Sequence, residues 1–341
     1  MSPEGRRIAI TGILSAWGAE LARKLERDPT IAQIVGIDSR PPEVELARTE
    51  FLEADIRSPV LSRLLPTTGV DTVVHCGILW YPEPGRRAQV LHEINVVGSL
   101  QLLAACERTE SLRTVIVRGS AAIYGCEGPA PYFFTEDLTH EAKLRTRFQR
   151  DISELEEYFD NFARRHPEIV CCMLRYQPEI GADLDSPLVR YLNLPVVPVQ
   201  LGYDPRLQLL HAEDATAAIV AAVGTPVRGA VNVAPSGSIS LSKALRLCGR
   251  TALPVPHPLF EPALSRLGDR LGAGGLVGDG VRMLRYGRGV DNSRLRHEIG
   301  FEPAYDAAGA MRDFAEKTRG RRFGPSLRPA AIASRLTGAS R

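Results

Sequence analysis

Apolar residues recur along this chain in two rhythms that take turns. Short unbroken apolar runs fall at Arg6–Thr11, Gln33–Ile37, Phe51–Ala54, Asp71–Cys76, Thr114–Val117, Ile169–Leu174 and Ala230–Val233. Between them lie stretches with apolar positions three or four apart, such as Leu21, Ala22 and Leu25 within Ala19–Arg27. The first rhythm predicts buried strands and the second predicts helices packed on them. Further helices are predicted over Pro59–Leu65, Ala88–Glu107, Phe148–Arg165, an Ala-rich stretch closing at Val223, Leu241–Cys248 and Arg294–Ile299. Five or six strands alternating with helices imply an α/β fold: a Rossmann-type doubly wound parallel sheet. Asn95 and Gly98 interrupt the apolar face of the Ala88–Glu107 helix. A polar or flexible residue there is costly unless packing or a hydrogen bond requires it.

After Arg175 the alternation weakens. Prolines at 178, 187, 195, 198 and 205 break it up, and Leu184–Tyr203 carries no pattern that assigns it. The expected organisation is a nucleotide-binding domain over 1–175, then a segment over 176–318 that completes the sheet and forms a smaller C-terminal substrate lobe. Residues 319–341 are rich in Arg, Pro and Ser and read as a flexible basic tail.

Composition narrows the picture modestly. A chain of 341 residues with 44% hydrophobic and 24% charged residues can bury one large core and a smaller one. A net charge of +2 provides no long-range pull towards nucleic acid or an anionic membrane. Of the 42 basic residues, 38 are arginine, a bias more typical of GC-rich coding than of a binding surface. No apolar run approaches the ~20 residues that cross a bilayer. The first strand begins near residue 6, leaving no space for a signal peptide. The six cysteines, at 76, 106, 126, 171, 172 and 248, show no metal-ligand spacing. A cytoplasmic protein with reduced thiols, no bound metal and a small-molecule substrate is the expectation.

Chemistry concentrates in the first forty residues. Strand, glycine turn (TGILSAWG, Thr11–Gly18), helix, second strand and Asp38 follow in the layout of a dinucleotide-binding βαβ unit. Gly12 suits the tight turn, Gly18 suits close helix–strand packing, and the helix N-terminus suits a pyrophosphate. Asp38 is placed to accept hydrogen bonds from a ribose. Ser15 departs from the pattern, which has glycine where the backbone nears the phosphates. Its Cβ is expected to push the phosphate away or widen the turn. Farther on, Trp80 and Tyr81 lie in an apolar loop after the fourth strand, at the sheet edge where ligands bind.

Taken together, these landmarks resemble the extended short-chain dehydrogenase/reductase family of UDP-sugar 4-epimerases and nucleotide-sugar dehydratases. The likeness runs from about residue 6 to 317. It rests on TGILSAWG, Asp38, Asp55-Ile56, VVHCG (Val73–Gly77), NVVG (Asn95–Gly98) and SAAIYG (Ser120–Gly125). LRY (Leu174–Tyr176), RLQLLHAEDA (Arg206–Ala215), VNVAPSG (Val231–Gly237) and the VDNS segment at Val290–Ser293 extend it. The resemblance implies NAD as cofactor. It implies contacts at Gly12, Leu14, Ser15, Gly18, Asp38, Asp55, Ile56, Cys76, Gly77 and Asn95, with Asp55-Ile56 beside the adenine. It also implies a catalytic role for Ser120 and Tyr124, and a homodimer built on the helices Ala88–Glu107 and Phe148–Arg165. Arg40, near Asp38, blunts the implied preference for NAD over NADP.

One motif is missing. The family's YxxxK supplies a tyrosine acid/base and a lysine that tunes it, and here the matching positions hold Phe148 and Ile152. Neither side chain transfers a proton. Three readings follow: an NAD enzyme with a substitute donor among Tyr124, Tyr132, His140 and His75; a non-redox lyase, isomerase or cyclase in a pocket shaped by Trp80, Tyr81 and Phe148; or a non-catalytic ligand-binding module. Arg175 and Arg206 are candidates for meeting a diphosphate.

Overall fold

The computed structural model describes residues 5–42, 45–80, 88–128, 133–138, 144–271, 276 and 278–319. The expected positions Tyr81, Tyr132, His140 and the tail beyond Arg319 lie outside that set.

The first half of the chain builds β1 (Arg6–Thr11), α1 (Ala16–Glu26), β2 (Ile31–Asp38), β3 (Thr49–Glu53), α2 (Leu61–Thr67) and β4 (Thr72–His75). It continues through α3 (Ala88–His92), a π-helical segment (Glu93–Gly98), α4 (Ser99–Glu107), β5 (Thr114–Ser120), a 3-10 turn (Ala121–Tyr124), α5 (Arg147–Arg165) and β6 (Val170–Tyr176). Then follow β7 (Glu179–Ile180), α6 (Pro187–Leu192), β8 (Val196–Gln200), β9 (Arg206–Leu207), β10 (Leu210–His211), α7 (Ala212–Gly224) and β11 (Gly229–Val233). The C-terminal part adds β12 (Ile239–Ser240), α8 (Leu241–Leu247), β13 (Thr251–Val255), α9 (His257–Leu271), α10 (Asp279–Tyr286), a π-helical turn (Leu295–Ile299) and α11 (Ala307–Thr318).

Seven strands form one parallel sheet in the order β11-β6-β5-β4-β1-β2-β3. Strands β4 and β5 are buried along their whole length. Strands covered on both faces read as unbroken apolar runs, which is why the sequence shows them plainly. One face packs on α2, α4 and α5 through Val73, Val115, Leu102 and Phe159. The other packs on α1 and α7 through Ile8, Ile10, Leu21 and Ala218. A third core, around Tyr191, Val197, Phe260 and Phe314, lies in the C-terminal part. Each fully buried leucine or isoleucine contributes roughly 1.5–3 kcal/mol.

Strand order reverses between β1 and β4, which makes a crevice at their C-terminal ends. The predicted strands and helices lie within a few residues of those observed. The predicted Ala88–Glu107 helix is continuous but carries the π-helical segment across Asn95 and Gly98. The Pro-rich part hides more structure than its sequence reveals. Strands β8 and β13 pair in parallel despite Pro198 and Pro254. A two-stranded sheet has two edges, so the missing N–H groups cost little there.

Candidate functional site

At the reversal point, two turns touch. Gly12, after β1, has φ +76°, and a Cβ on it would lie 2.5 Å from the Gly77 Cα. A Cβ on Gly18 would lie 2.3 Å from the Gly12 carbonyl oxygen. Both glycines are therefore required by space, and together they leave bare backbone facing the crevice. Asp38 closes the far side: one carboxylate oxygen accepts from the Leu14 N–H at 3.1 Å and the other from the Ser39 N–H at 2.8 Å.

Ser15 sits at φ −68°, an ordinary conformation for any L-residue. Its hydroxyl folds back into the turn, donating to the Gly12 carbonyl at 2.7 Å and accepting from the Gly18 N–H at 3.0 Å. The serine thus caps α1 and engages one of the N–H groups that an incoming phosphate would otherwise meet.

The remaining expected contacts divide. Asp55 is half exposed and ion-paired with Arg57 at 2.6 Å. Ile56 fills the space that Gly98 leaves open, where a Cβ would lie 2.7 Å from it. The Asn95 amide pairs with Leu79, accepting from its N–H at 2.8 Å and donating to its carbonyl at 2.9 Å. Asn95 therefore positions the loop that carries Trp80. Cys76 is buried, and burial pushes its thiol up to about 12, so its share in the crevice is backbone alone.

A cavity of about 270 Å³ opens beyond the end of β5. Ser120, Trp80, Phe148, Tyr176, Leu188 and Met283 line it, with Asp151, Asp279 and Arg288 as its charged wall. Ser120 accepts from the Ala122 N–H at 3.2 Å and so caps the 3-10 turn. Phe148 and Asp151 project from one face of α5 into this space, whereas Ile152 is fully buried in the core. Asp151 is 4% exposed. One of its oxygens is 2.8 Å from Nδ1 of His92, on the neighbouring α3. Asp279 accepts from Arg288 at 2.9 Å and from the Gln149 amide at 3.0 Å.

Three expectations are corrected here. Tyr124 does not line the cavity. Its hydroxyl donates to Asn232 at 2.8 Å and accepts from Arg175 at 2.8 Å, and its ring stacks on Phe134. Burial pushes that hydroxyl up to about 12, so it is a poor proton donor. Arg175 cannot meet a diphosphate, because it is buried in an ion pair with Glu156 at 2.6 Å. His75 is no acid either. It lies between the hydroxyls of Thr11 at 2.7 Å and Ser99 at 3.0 Å, and burial lowers it to about 4.

The sequence reading missed the hydrogen-bonded pair of Asp151 with His92, and it missed a stack around Arg118. That guanidinium lies 4.3 Å from the Trp17 ring centroid, 4.4 Å from Trp80 and 4.9 Å from Tyr176. It also donates to Glu179, whose carboxyl burial pushes up to about 7. The available signal was the i, i+3 spacing of Phe148 and Asp151. For the stack, it was an arginine inside an otherwise apolar strand.

Comparison with known proteins places this geometry. The profile of the NAD dependent epimerase/dehydratase family matches residues 8–234. An uncharacterised protein of Mycobacterium tuberculosis is 34% identical over 332 residues, covering 96% of this chain and 87% of that one. A UDP-glucose 4-epimerase from Stenotrophomonas maltophila, solved with NAD and formylated UDP-arabinopyranose, superposes with a TM-score of 0.70. It is 18% identical, covering 92% of this chain and 98% of that one. A dTDP-glucose 4,6-dehydratase from Bacillus anthracis in complex with NAD gives 0.68 at 14% identity, covering 93% and 97%. At these identities the solved structures share the fold.

Proposed function

The chain belongs to the NAD dependent epimerase/dehydratase family, and on that premise we propose that it binds NAD in the crevice at Gly12 and acts on a nucleotide-sugar or other small metabolite in the cavity beside Ser120. The observation that carries this reading is the cradle at the reversal point. Gly12 and Gly18 have no space for a side chain, and Asp38 is locked onto the Leu14 N–H. Such a cradle fits a ribose and a pyrophosphate. When bound, the nicotinamide accepts and returns a hydride.

This chain's own residues orient the substrate and handle its proton. Ser120 lies at the cavity wall and presents a hydroxyl to a substrate oxygen. Phe148 and Ile152 stand where the family keeps its tyrosine and lysine, and neither can move a proton. Asp151, paired with His92, is the carboxylate that α5 brings to the cavity wall, beside Arg147, and we assign it the acid/base role. We further propose a cytoplasmic homodimer that meets on the α4–α5 face, beside which Val97 and Leu100 are exposed.

Calorimetry with NAD⁺ tests the reading first. Binding that weakens at least tenfold in Asp38→Ala is expected, followed by a transient 340 nm absorbance with UDP-glucose or UDP-glucuronate. No heat at millimolar NAD⁺ would overturn it. A second reading, a non-redox lyase or isomerase, draws on the apolar cavity wall of Trp80, Phe148, Leu188 and Met283. It predicts turnover that survives removal of nicotinamide.

A further inference from the structure

Both tryptophans of this chain flank one buried arginine. Trp17 stands in the first turn of α1, Trp80 follows the end of β4, and Arg118 lies two residues before Ser120 near the end of β5. These three come from the C-terminal ends of the strands beside the reversal point, the edge along which a bound dinucleotide runs. A ligand held at Asp38, with its phosphates over the Gly12–Gly18 turn, must pass this stack to bring its other end to Ser120. The stack also borders the cavity, since Trp80 and Tyr176 belong to the cavity wall.

The stack is not a fully satisfied core. Arg118 is 3% exposed, and its Nε is buried with no hydrogen-bond partner among the described residues. The Trp80 indole N–H is likewise buried with no partner among the described residues. Buried donors in native folds are nearly always paired. Two orphan donors in one stack, at the end of a nucleotide crevice, mark a place whose contacts are completed by something else.

We propose that Arg118 is the specificity-determining residue of the crevice. Stacked between the indoles, it fills the end nearest Ser120, so an adenine mononucleotide enters with the stack intact and a dinucleotide seats fully only when Arg118 swings out. This rests on the reading of the crevice as a nucleotide site. Glu179 is the latch that holds the stacked position. Its carboxyl is already pushed up to about 7 by burial, so on losing Arg118 it can take up a proton and stay buried.

The test uses the two tryptophans as reporters, because both lie in the stack. ADP and NAD⁺ are titrated into the full-length protein by calorimetry and by tryptophan emission. In the wild type, NAD⁺ is expected to bind no more than threefold tighter than ADP. NAD⁺ should shift the emission and ADP should leave it nearly unchanged. Arg118→Ala is expected to tighten NAD⁺ at least tenfold and to leave ADP within twofold. Glu179→Gln, which keeps the shape of the latch and removes its charge, should move NAD⁺ the same way. The wild-type emission comparison stands even where a variant fails to fold. Tenfold tighter NAD⁺ binding in the wild type with unchanged emission would overturn the proposal, as would equal losses of both ligands in Arg118→Ala. Absence of ADP binding in every protein would instead retire the nucleotide reading, and the proposal with it.

Discussion

His75 shows how a residue that invites a catalytic reading is settled by its neighbours. Ser99 gives its hydroxyl proton to the Asn95 carbonyl at 2.6 Å, so its oxygen receives the Nε2 proton of His75, and Thr11 donates to Nδ1. A neutral imidazole matches one acceptor and one donor. An unfolded histidine protonates near 6.5, whereas burial lowers this one to about 4. Between those values the unfolded chain holds a proton that the folded chain lacks. The contribution is therefore complete above about pH 6.5 and is lost as the pH falls towards 4, with a ceiling of about 3 kcal/mol. Urea midpoints at pH 7 and 4.5 should fall less steeply in His75→Asn than in the wild type; parallel slopes would remove histidine as the cause. Asp151→Asn should lower turnover on the order of 10²–10⁴-fold while NAD⁺ affinity holds. Tyr124→Phe should instead cost about 1–2 kcal/mol of stability, since it strips a buried hydroxyl from Asn232 and Arg175, and leave turnover close to wild type. The reverse pattern would return the acid role to the tyrosine. None of this was legible in the sequence, because SAAIYG and RFQRDI do not reveal which side chains face the cavity. That depends on the register of β5 and α5 against each other.

Among the elements, α1 and its turn were the most legible and still carried one misreading. The strand, turn, helix and Asp38 stand where the spacing predicts them, because each is specified locally by apolar runs and by glycines with no space for a Cβ. Ser15 was expected to push the phosphate away or to widen the turn; the structure answers the second, since its backbone is relaxed and its hydroxyl caps the helix. Ser15→Ala should cost about 1 kcal/mol, and Ser15→Gly only a few tenths. Both variants remove the hydroxyl and so free the Gly18 N–H, and NAD⁺ should bind more tightly to each of them than to the wild type. Thermal melts and calorimetry on the two variants and the wild type check both parts, and affinities equal to that of the wild type would show that the Gly18 N–H has no share in binding. The strands β8 and β13 were illegible for the opposite reason. Their pairing is long-range and their prolines suppress every local strand signal.

At the scale of the whole molecule, the sheet's apolar runs revealed the architecture but not the surface it presents. Helices α4 and α5 cover one face of the sheet; Val97, in the π-helical segment that leads into α4, is 39% exposed and Leu100, in α4, is 43% exposed. Two exposed aliphatic side chains three residues apart lie on one stripe of a helix, where a second copy of the same stripe can bury them. A twofold axis across this face would set α4 and α5 against their copies as four helices and remove each Leu100 from water. Leu100→Glu would then place two carboxylates in one apolar seam, and like charges without partners are expelled from such a seam. Light scattering should show a dimer for the wild type and a monomer for Leu100→Glu, with the melting temperature of the monomer lower and independent of the substitution's neighbours on α5. A wild-type monomer at tens of micromolar would assign the stripe to another partner, and the crevice and cavity would then have to work within one chain, as their residues already allow.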